Sequence, residues 1–322
     1  MIILSSMMIQ SKKTNDKHLY IIKNGNPSSR KSNHVWGQVE QVLKLHAISY
    51  TLYETEYPGH AKEIAENVLK NTYTDTIIVA LGGDGTLHEV INGAVSFPHA
   101  KVVCFPAGSG NDYVRGIQKS KKTEDIISLL HSEQKVSAID LGAFVFEGKK
   151  RHFVNSIGVG FDASISKAVN ESKWKSRFQA LKLGKFIYLY FFLKNLFAFN
   201  TFSLEVEIDG EKRKMDDVWF LVVCNQPYFG GGIKISPNAS INDGQLQALV
   251  VSKISSFMLL LLFSTILWGG HLKLKWVEVF NCKEISLSTD ALVPIQADGE
   301  HIGFSNVSVK VAPDAVKILR NR

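Results

Sequence analysis

Residues 82–86 read Gly-Gly-Asp-Gly-Thr, between an apolar run that closes at Leu81 and a helical pattern that opens at Leu87. Glycines let a backbone turn sharply and approach a ligand closely, and amides at the start of a helix point outward with the positive end of its dipole. That geometry binds phosphate. Asp84 lies inside the same loop, where its carboxylate repels phosphate unless a cation stands between them. Magnesium usually joins one or two carboxylates to substrate phosphates, so the loop points to a nucleotide with its metal. The same residue types also suit a plain helix N-cap. A second loop weighs against that reading. Residues 106–115, Pro-Ala-Gly-Ser-Gly-Asn-Asp-Tyr-Val-Arg, again follow an apolar run. Ser109 supplies a hydroxyl there, and Asn111 and Asp112 supply polar groups for a ribose, a phosphate or a metal shell.

Two such loops need one sheet edge to hold them side by side. Apolar runs at 18–24, 49–53, 76–81 and 101–105 have strand character. Between them, Val35, Val39, Val42, Leu43 and His46 fit helical spacing, residues 60–70 form a second helix, and a third opens at Leu87. This alternation predicts a parallel sheet covered by helices, with ligands at the carboxyl ends of its strands. The rhythm changes after about Ala138. Runs at 203–210, 217–225, 245–252 and 284–300 have strand composition, end in turn residues or polar positions, and largely lack intervening helices. The expected fold is an α/β nucleotide-binding domain at 18–138 and a mostly antiparallel, β-rich domain at 139–322, with room for the last residues to return to the first domain.

Composition bounds the partners. The 322 residues suffice for about two domains whose cores need no staples. An apolar fraction of 45% and a charged fraction of 21% exclude disordered and collagen-like classes. The 37 Lys and Arg exceed the 30 Asp and Glu by +7, which favours anionic partners. Cys104, Cys224 and Cys282 are far apart and form no C-x-x-C pair, so neither a disulfide framework nor a zinc site is supported, and a reducing cytoplasm is expected. The N-terminal residues lack a basic region ahead of their apolar positions and read as an unstructured leader rather than a secretory signal. There is no G-x-x-x-x-G-K-[ST], no strand-linked G-x-G-x-x-G with its downstream acid, and no H-R-D with D-F-G. P-loop ATPase, Rossmann dehydrogenase and protein kinase readings therefore fail.

Residues 82–94 (GGDGTLHEVINGA) with 106–115 resemble the diacylglycerol kinase catalytic domain of soluble bacterial lipid kinases. Residues 155–165 (NSIGVGFDASI), 228–251 and 297–300 (ADGE) are similar, in order and spacing, to the C-terminal blocks of that family. The resemblance covers nearly the whole chain from about residue 18.

What the resemblance implies is an ATP-dependent lipid kinase that uses Mg²⁺. It implies nucleotide contacts at the turn of Asn26, Pro27 and Ser28, where Arg30 then stands in place of a usual glycine, and at Thr55. It makes Gly82, Gly83, Asp84, Gly85, Thr86, Leu87, His88 and Glu89 the principal ATP loop. Gly108, Ser109, Asn111 and Asp112 become the second loop, with Ser109 keeping the hydroxyl of a usual threonine. It implies a structural magnesium site in which Asp243 is the side-chain ligand and Ser240 and Gln245 give backbone carbonyls; without the resemblance, Asn-Asp-Gly reads as a hairpin turn. Finally, it makes Asp298-Gly299-Glu300 the catalytic element. Phosphoryl transfer needs an aligned acceptor hydroxyl, neutralised charge and a carboxylate to take the hydroxyl proton. A glycine between two acids lets both approach one site, and the sequence does not choose between Asp298 and Glu300.

The acceptor implied is the hydroxyl of diacylglycerol, giving phosphatidic acid, or of a related lipid. An anionic membrane surface attracts a basic chain by about 1 kcal/mol per basic residue near it. Lys173, Lys175, Arg177, Lys182 and Lys185 cluster around the start of an aromatic segment at 181–199, which resembles an interfacial anchor. An amphipathic helix with a solvated basic face accounts for the same residues. That segment and the apolar run at 256–270 are both too short or too interrupted for a span of about 20 apolar residues, so buried or interfacial helices are expected. The expected partners are ATP and a lipid at an anionic membrane surface, with no nucleic acid because no basic reading motif is present. The expected location is cytoplasmic and peripheral to the membrane, and a homodimer is an admissible assembly. Two alternatives stay open: an NAD kinase, which shares the glycine loop but phosphorylates a soluble ribose hydroxyl, and a catalytically inactive nucleotide-binding regulatory protein.

Overall fold

A computed structural model of the protein describes residues 18–25, 30–108, 110–118, 136–174, 184–304 and 306–320. Strands β1 (Leu19–Lys23), β2 (Tyr50–Glu54), β3 (Thr76–Gly82) and β4 (Ala100–Pro106) form a parallel sheet in the order β2-β1-β3-β4. β3 is buried along its whole length, which is why it reads as an unbroken apolar run rather than an alternating one. Its side chains still divide by the period of two. Ile77, Val79 and Leu81 pack with Val39 and Leu43 of α1 (Arg30–Leu45) on one face. Ile78 and Ala80 pack with α2 (His60–Lys70) and α3 (Asp84–Ala94) on the other. In α2 the buried residues Ala61, Ile64, Ala65, Val68 and Leu69 recur at helical spacing, which makes the helix and its docking face one pattern.

Helix boundaries depart from the sequence reading where apolar residues are missing. α1 starts at Arg30, a full turn before Val35, because its first turn is polar and carries no periodic signal. α3 starts at Asp84 rather than Leu87. Gly83 is the extended N-cap, so Asp84, Gly85 and Thr86 are the first helical turn.

Beyond residue 136 the chain turns antiparallel. Strands β5 (Val136–Phe146), β6 (Lys149–Phe153), β7 (Ser156–Gly160), β8 (Phe202–Ile208), β9 (Glu211–Cys224), β10 (Leu246–Ser252), β11 (Val277–Cys282), β12 (Glu284–Thr289), β13 (Pro294–Ala297) and β14 (Glu300–Phe304) enclose a core that includes Phe144, Phe153, Leu204, Leu221 and Ile285. The last strand, β15 (Val307–Leu319), runs antiparallel to β5 and then joins β4 in parallel at Lys317 and Ile318. It therefore closes the edge of the parallel sheet. Buried Asp140 ties the junction together, accepting from Asp314 N at 2.9 Å and from Gly244 N at 2.8 Å.

Helices α4 (Phe161–Glu171), α5 (Gly184–Leu196) and α6 (Ser256–Leu262) cover a second apolar layer that includes Phe161, Phe192, Leu196, Trp219 and Leu249. α6 is capped by Ser255, whose hydroxyl accepts from Met258 N, and passes into a 3-10 stretch at Phe263–Trp268. Among the described residues no helix is long and apolar enough to cross a membrane.

Candidate active site

The two glycine-rich loops meet at the carboxyl ends of β3 and β4. Ala107 N donates to Gly82 O at 2.7 Å, and a Cβ on Gly108 would stand only 2.5 Å from the Gly83 Cα. Such separations leave no room for a side chain, so glycine at 108 is a steric requirement of the loop pair. Asn111 adopts a left-handed backbone (φ 54°) and closes the second loop, its Oδ1 accepting from Gly108 N at 3.1 Å and its Nδ2 donating to Gly108 O at 2.9 Å. Among the described residues no side chain caps α3, so its amino end presents backbone donors and dipole at the loop pair.

Acids crowd this end of the sheet. Asp84 Oδ1 accepts from Tyr113 N at 3.2 Å, which binds the first loop to the second. Asp112 is buried and accepts from Gly231 N at 2.8 Å and from Arg115 Nη1 at 3.2 Å. Burial raises the Asp84 carboxyl above its ordinary range against the pull of amides at 111–113, and the Asp298 charge adds to the rise. Burial and the Asp84 charge push Asp112 up to about 6. Buried Asp112 and half-buried Asp84, whose charge raises Asp112, lie together at the amino end of α3 and are a donor set that fits one Mg²⁺.

The Asp298-Gly299 turn arrives from the β-rich half. Both residues have positive φ, 48° and 88°, as the two-residue hairpin between β13 and β14 requires. The hairpin reading and the site reading of this turn are thus both correct. The Asp298 carboxylate is 1% exposed and takes four donors: His88 Nδ1 at 2.7 Å, Val154 N at 2.8 Å, Asn155 N at 2.8 Å and Ser156 N at 3.1 Å. Glu300 is exposed, and its Oε1 lies 3.6 Å from where a Cβ on Gly85 would be. Gly299 is held from both sides, its amide by Gln296 Oε1 at 2.7 Å and its carbonyl by Asn170 Nδ2 at 3.0 Å. Gln296 Nε2 in turn reaches Asp162 Oδ2 at 3.2 Å, and burial pushes the Asp162 carboxyl up to about 7.

Other residues singled out by the sequence do different work. Thr55 Oγ1 accepts from Gly25 N at 3.2 Å, which shapes the end of β1. Thr86 is buried beside Gly82, and its hydroxyl accepts from Asn24 at 3.3 Å. Leu87 belongs to the core. Both oxygens of Glu89 cap α2, accepting from Gly59 N at 2.9 Å and Ala61 N at 3.0 Å, so its carboxylate holds two helices together. Asn26, Pro27, Ser28 and Ser109 lie outside the described residues, as do Lys175, Arg177 and Lys182.

The turn with Asp243 lies within the long connection 225–245 between β9 and β10, not in a tight hairpin. Asp243 Oδ1 accepts from Gln245 N at 3.0 Å, and Ser240 Oγ donates to Asn242 Oδ1 at 2.9 Å. Asp243, Ser240, Gln245, Asn238 and Asn281 line a small polar cavity of about 130 Å³. Among the described residues no cluster of three or more His, Cys, Asp or Glu side chains is arranged to hold a metal. One carboxylate among amide and carbonyl oxygens fits a largely hydrated Mg²⁺.

Three features of the site escaped the sequence reading. Lys31 reaches Gly108 O at 2.6 Å from the first turn of α1. Arg115 neutralises Asp112. The glycines at 230–232, all with positive φ, bring a loop of the β-rich half onto the second glycine-rich loop through Gly231. The run of three glycines was the available signal.

This fold and this edge define a kinase-like α/β domain completed by a β-rich half, and the chain belongs to the diacylglycerol kinase-like lipid kinase family. Residues 18–144 match the model of the diacylglycerol kinase catalytic domain, and residues 155–320 match the YegS C-terminal NAD kinase beta sandwich-like domain. YtlR of Bacillus subtilis (strain 168), named provisionally as a lipid kinase, is 30% identical over 313 residues, which span 94% of this chain and 99% of that protein. A diacylglycerol kinase of Staphylococcus haemolyticus (strain JCSC1435) is 27% identical over 281 residues, 86% of this chain and 81% of its own. A solved diacylglycerol kinase structure from Bacillus anthracis str. Sterne shares the fold with a TM-score of 0.69 at 20% identity, covering 95% of this chain and 97% of that one.

Proposed function

We propose that the protein transfers the γ-phosphate of Mg-ATP to the hydroxyl of diacylglycerol or a closely related lipid, with Glu300 as the general base. The observation that carries this reading is the contrast inside one turn: every lone pair direction of Asp298 is engaged by protein donors, while exposed Glu300 overlies Gly85 in the first turn of α3. A carboxylate whose two oxygens are occupied by four protein donors has no open acceptor position for the proton of an incoming hydroxyl. Glu300 has the reach to take the acceptor proton as the hydroxyl attacks the γ-phosphorus and the bond to the β-phosphate oxygen breaks. Asp298 positions the turn. The α3 amino end and the glycine loops would hold the phosphates, and Asp84 and Asp112 are the residues that would hold Mg²⁺, which would supply the charge neutralisation that the acids themselves cannot.

A lipid acceptor is favoured by α5. Phe186, Leu189, Tyr190, Leu193 and Phe197 are all exposed at helical spacing, while Ile187, Phe192 and Leu196 are buried beneath them. A helix apolar on both faces, with the outer one left in water, suits a lipid surface. Burial, and then the Asp112 charge, raise the Tyr188 phenol on the same helix above its ordinary range. A cavity of about 310 Å³ lies between α4, the end of α5 and the β13–β14 hairpin, with Ala168, Phe199, Pro294 and Phe304 on its walls and Lys167 above Phe304. Such a cavity suits an acyl chain next to an anionic head group.

The test is incubation of purified protein with labelled Mg-ATP and anionic vesicles containing diacylglycerol, monoacylglycerol or a sphingoid base. Labelled phosphatidic acid or its analogue is the expected product. No labelled lipid from any acceptor, or labelled product from NAD without vesicles, contradicts the proposal.

A further inference from the structure

His88 sits one turn into α3, and its Nδ1 bonds Asp298 Oδ2 at 2.7 Å across 210 positions of sequence. An ionised carboxylate only accepts, so this nitrogen carries a proton and the ring is the donor. Asn92, one turn further along the same helix face, is committed to β6. Its Nδ2 donates to His152 O at 2.9 Å and its Oδ1 accepts from His152 N at 2.9 Å. α3 is therefore joined to the β-rich half at two heights, by Asn92 to the backbone of β6 and by His88 to the hairpin that bears Glu300. The His88 side chain is 16% exposed at the mouth of the site. The groups around the ring are Asp298 and Glu300 from the hairpin, Glu89 and Asn92 from its own helix, and His152 from β6.

We propose that His88 is a positioning residue whose bond to Asp298 sets the register between the nucleotide-binding helix and the hairpin, and so aims Glu300 at the acceptor hydroxyl. This inference rests on the reading of Glu300 as the base. Asp298 is the hinge point of that register because its other three donors are backbone amides at 154–156, which move with the β-rich half. Among the described residues, His88 alone connects the carboxylate to the helix that presents the phosphates. Burial weakens proton binding by the imidazole, but the bond to Asp298 and the charges of Asp298, Glu300 and Glu89 outweigh it, so the ring stays protonated above its ordinary range. A charged donor holds a carboxylate more strongly than a neutral one. The grip therefore relaxes as pH rises through that raised value.

The experiment compares His88→Ala and His88→Asn with the native enzyme on diacylglycerol vesicles, with His88 ring titration followed by NMR. The asparagine amide nitrogen stands near the place of Nδ1 and does not titrate. His88→Ala is expected to lose about 10–100-fold in kcat, the scale of a small misalignment of reacting groups, with the KM for ATP nearly unchanged. His88→Asn is expected to recover most of kcat and to lack the alkaline decline of the native profile. The native ring should titrate above about 6.5 and fall back in Asp298→Asn. Unchanged kcat and pH profile in His88→Ala overturn the inference, as does His88→Asn being as impaired as His88→Ala while the native ring titrates normally. Glu300→Gln, run alongside, separates the two claims: if it is inactive and His88→Ala is unimpaired, the register claim alone fails, whereas an active Glu300→Gln removes the base reading and the inference with it.

Discussion

Asp243-Gly244 and Asp298-Gly299 are the same dipeptide in the same half of the chain, and each forms a turn in which the glycine has positive φ. Their carboxylates meet opposite surroundings. Asp243 is exposed and accepts one bond, from an amide two residues away. Asp298 is 1% exposed and accepts four, three from amides at 154–156 and one from His88. The dipeptide specifies a turn and nothing more. What surrounds the acid is decided by donors far away in sequence, which tie one turn to both halves of the chain and leave the other on the surface.

The sharpest way to break this contrast is at the residue that Asp298 positions. Glu300→Gln keeps the shape of the hairpin and removes the proposed base, so kcat should fall by about 10²–10⁴-fold while ATP binding by equilibrium titration is retained. Asp298→Asn comes next. An amide cannot accept all four donors, and its own NH₂ is set against backbone amides, so unfolding in urea should show a loss of about 2–4 kcal/mol together with a drop in kcat. Asp162 gives a pH test of the support beneath the turn. Burial pushes its carboxyl from the ordinary 3.8 up to about 7, so ionisation is disfavoured by folding. Its contribution is most favourable below about pH 4 and is lost as pH rises toward 7. Asp162→Asn should therefore unfold at higher urea than the native protein at pH 8, by about 1–3 kcal/mol, and the gap should close in acid. The smallest effect belongs to the other turn. Asp243→Asn should change stability without magnesium by less than about 0.5 kcal/mol, as surface substitutions do; millimolar MgCl₂ is expected to raise the thermal midpoint of the native protein and to leave that of Asp243→Asn unmoved.

Much of this was legible in the chain. The run at 76–81 is so apolar that its burial on both faces, and hence a parallel sheet, follows directly. The helix at residues 60–70 and the glycine loops were equally plain. The start of α3 was hidden because Asp84, Gly85 and Thr86 carry no apolar period, although they make its first turn. Glu89 reads as part of the nucleotide loop, but both its oxygens cap α2. Lys31 and Arg115 stand among ordinary surface cations in sequence, and only the fold brings them to Gly108 and Asp112. The different surroundings of Asp298 and Glu300 were invisible for the same reason: they depend on amides at 154–156 and an imidazole at 88, and no local pattern encodes contacts of that length.

The most direct test of the central claim is the transfer of labelled γ-phosphate from ATP to diacylglycerol in anionic vesicles, measured for the native enzyme and Glu300→Gln side by side. The account predicts labelled phosphatidic acid from the native enzyme and a loss of at least about 100-fold in Glu300→Gln with nucleotide affinity preserved. Equal rates from the two proteins, or no lipid product from the native enzyme, would contradict it.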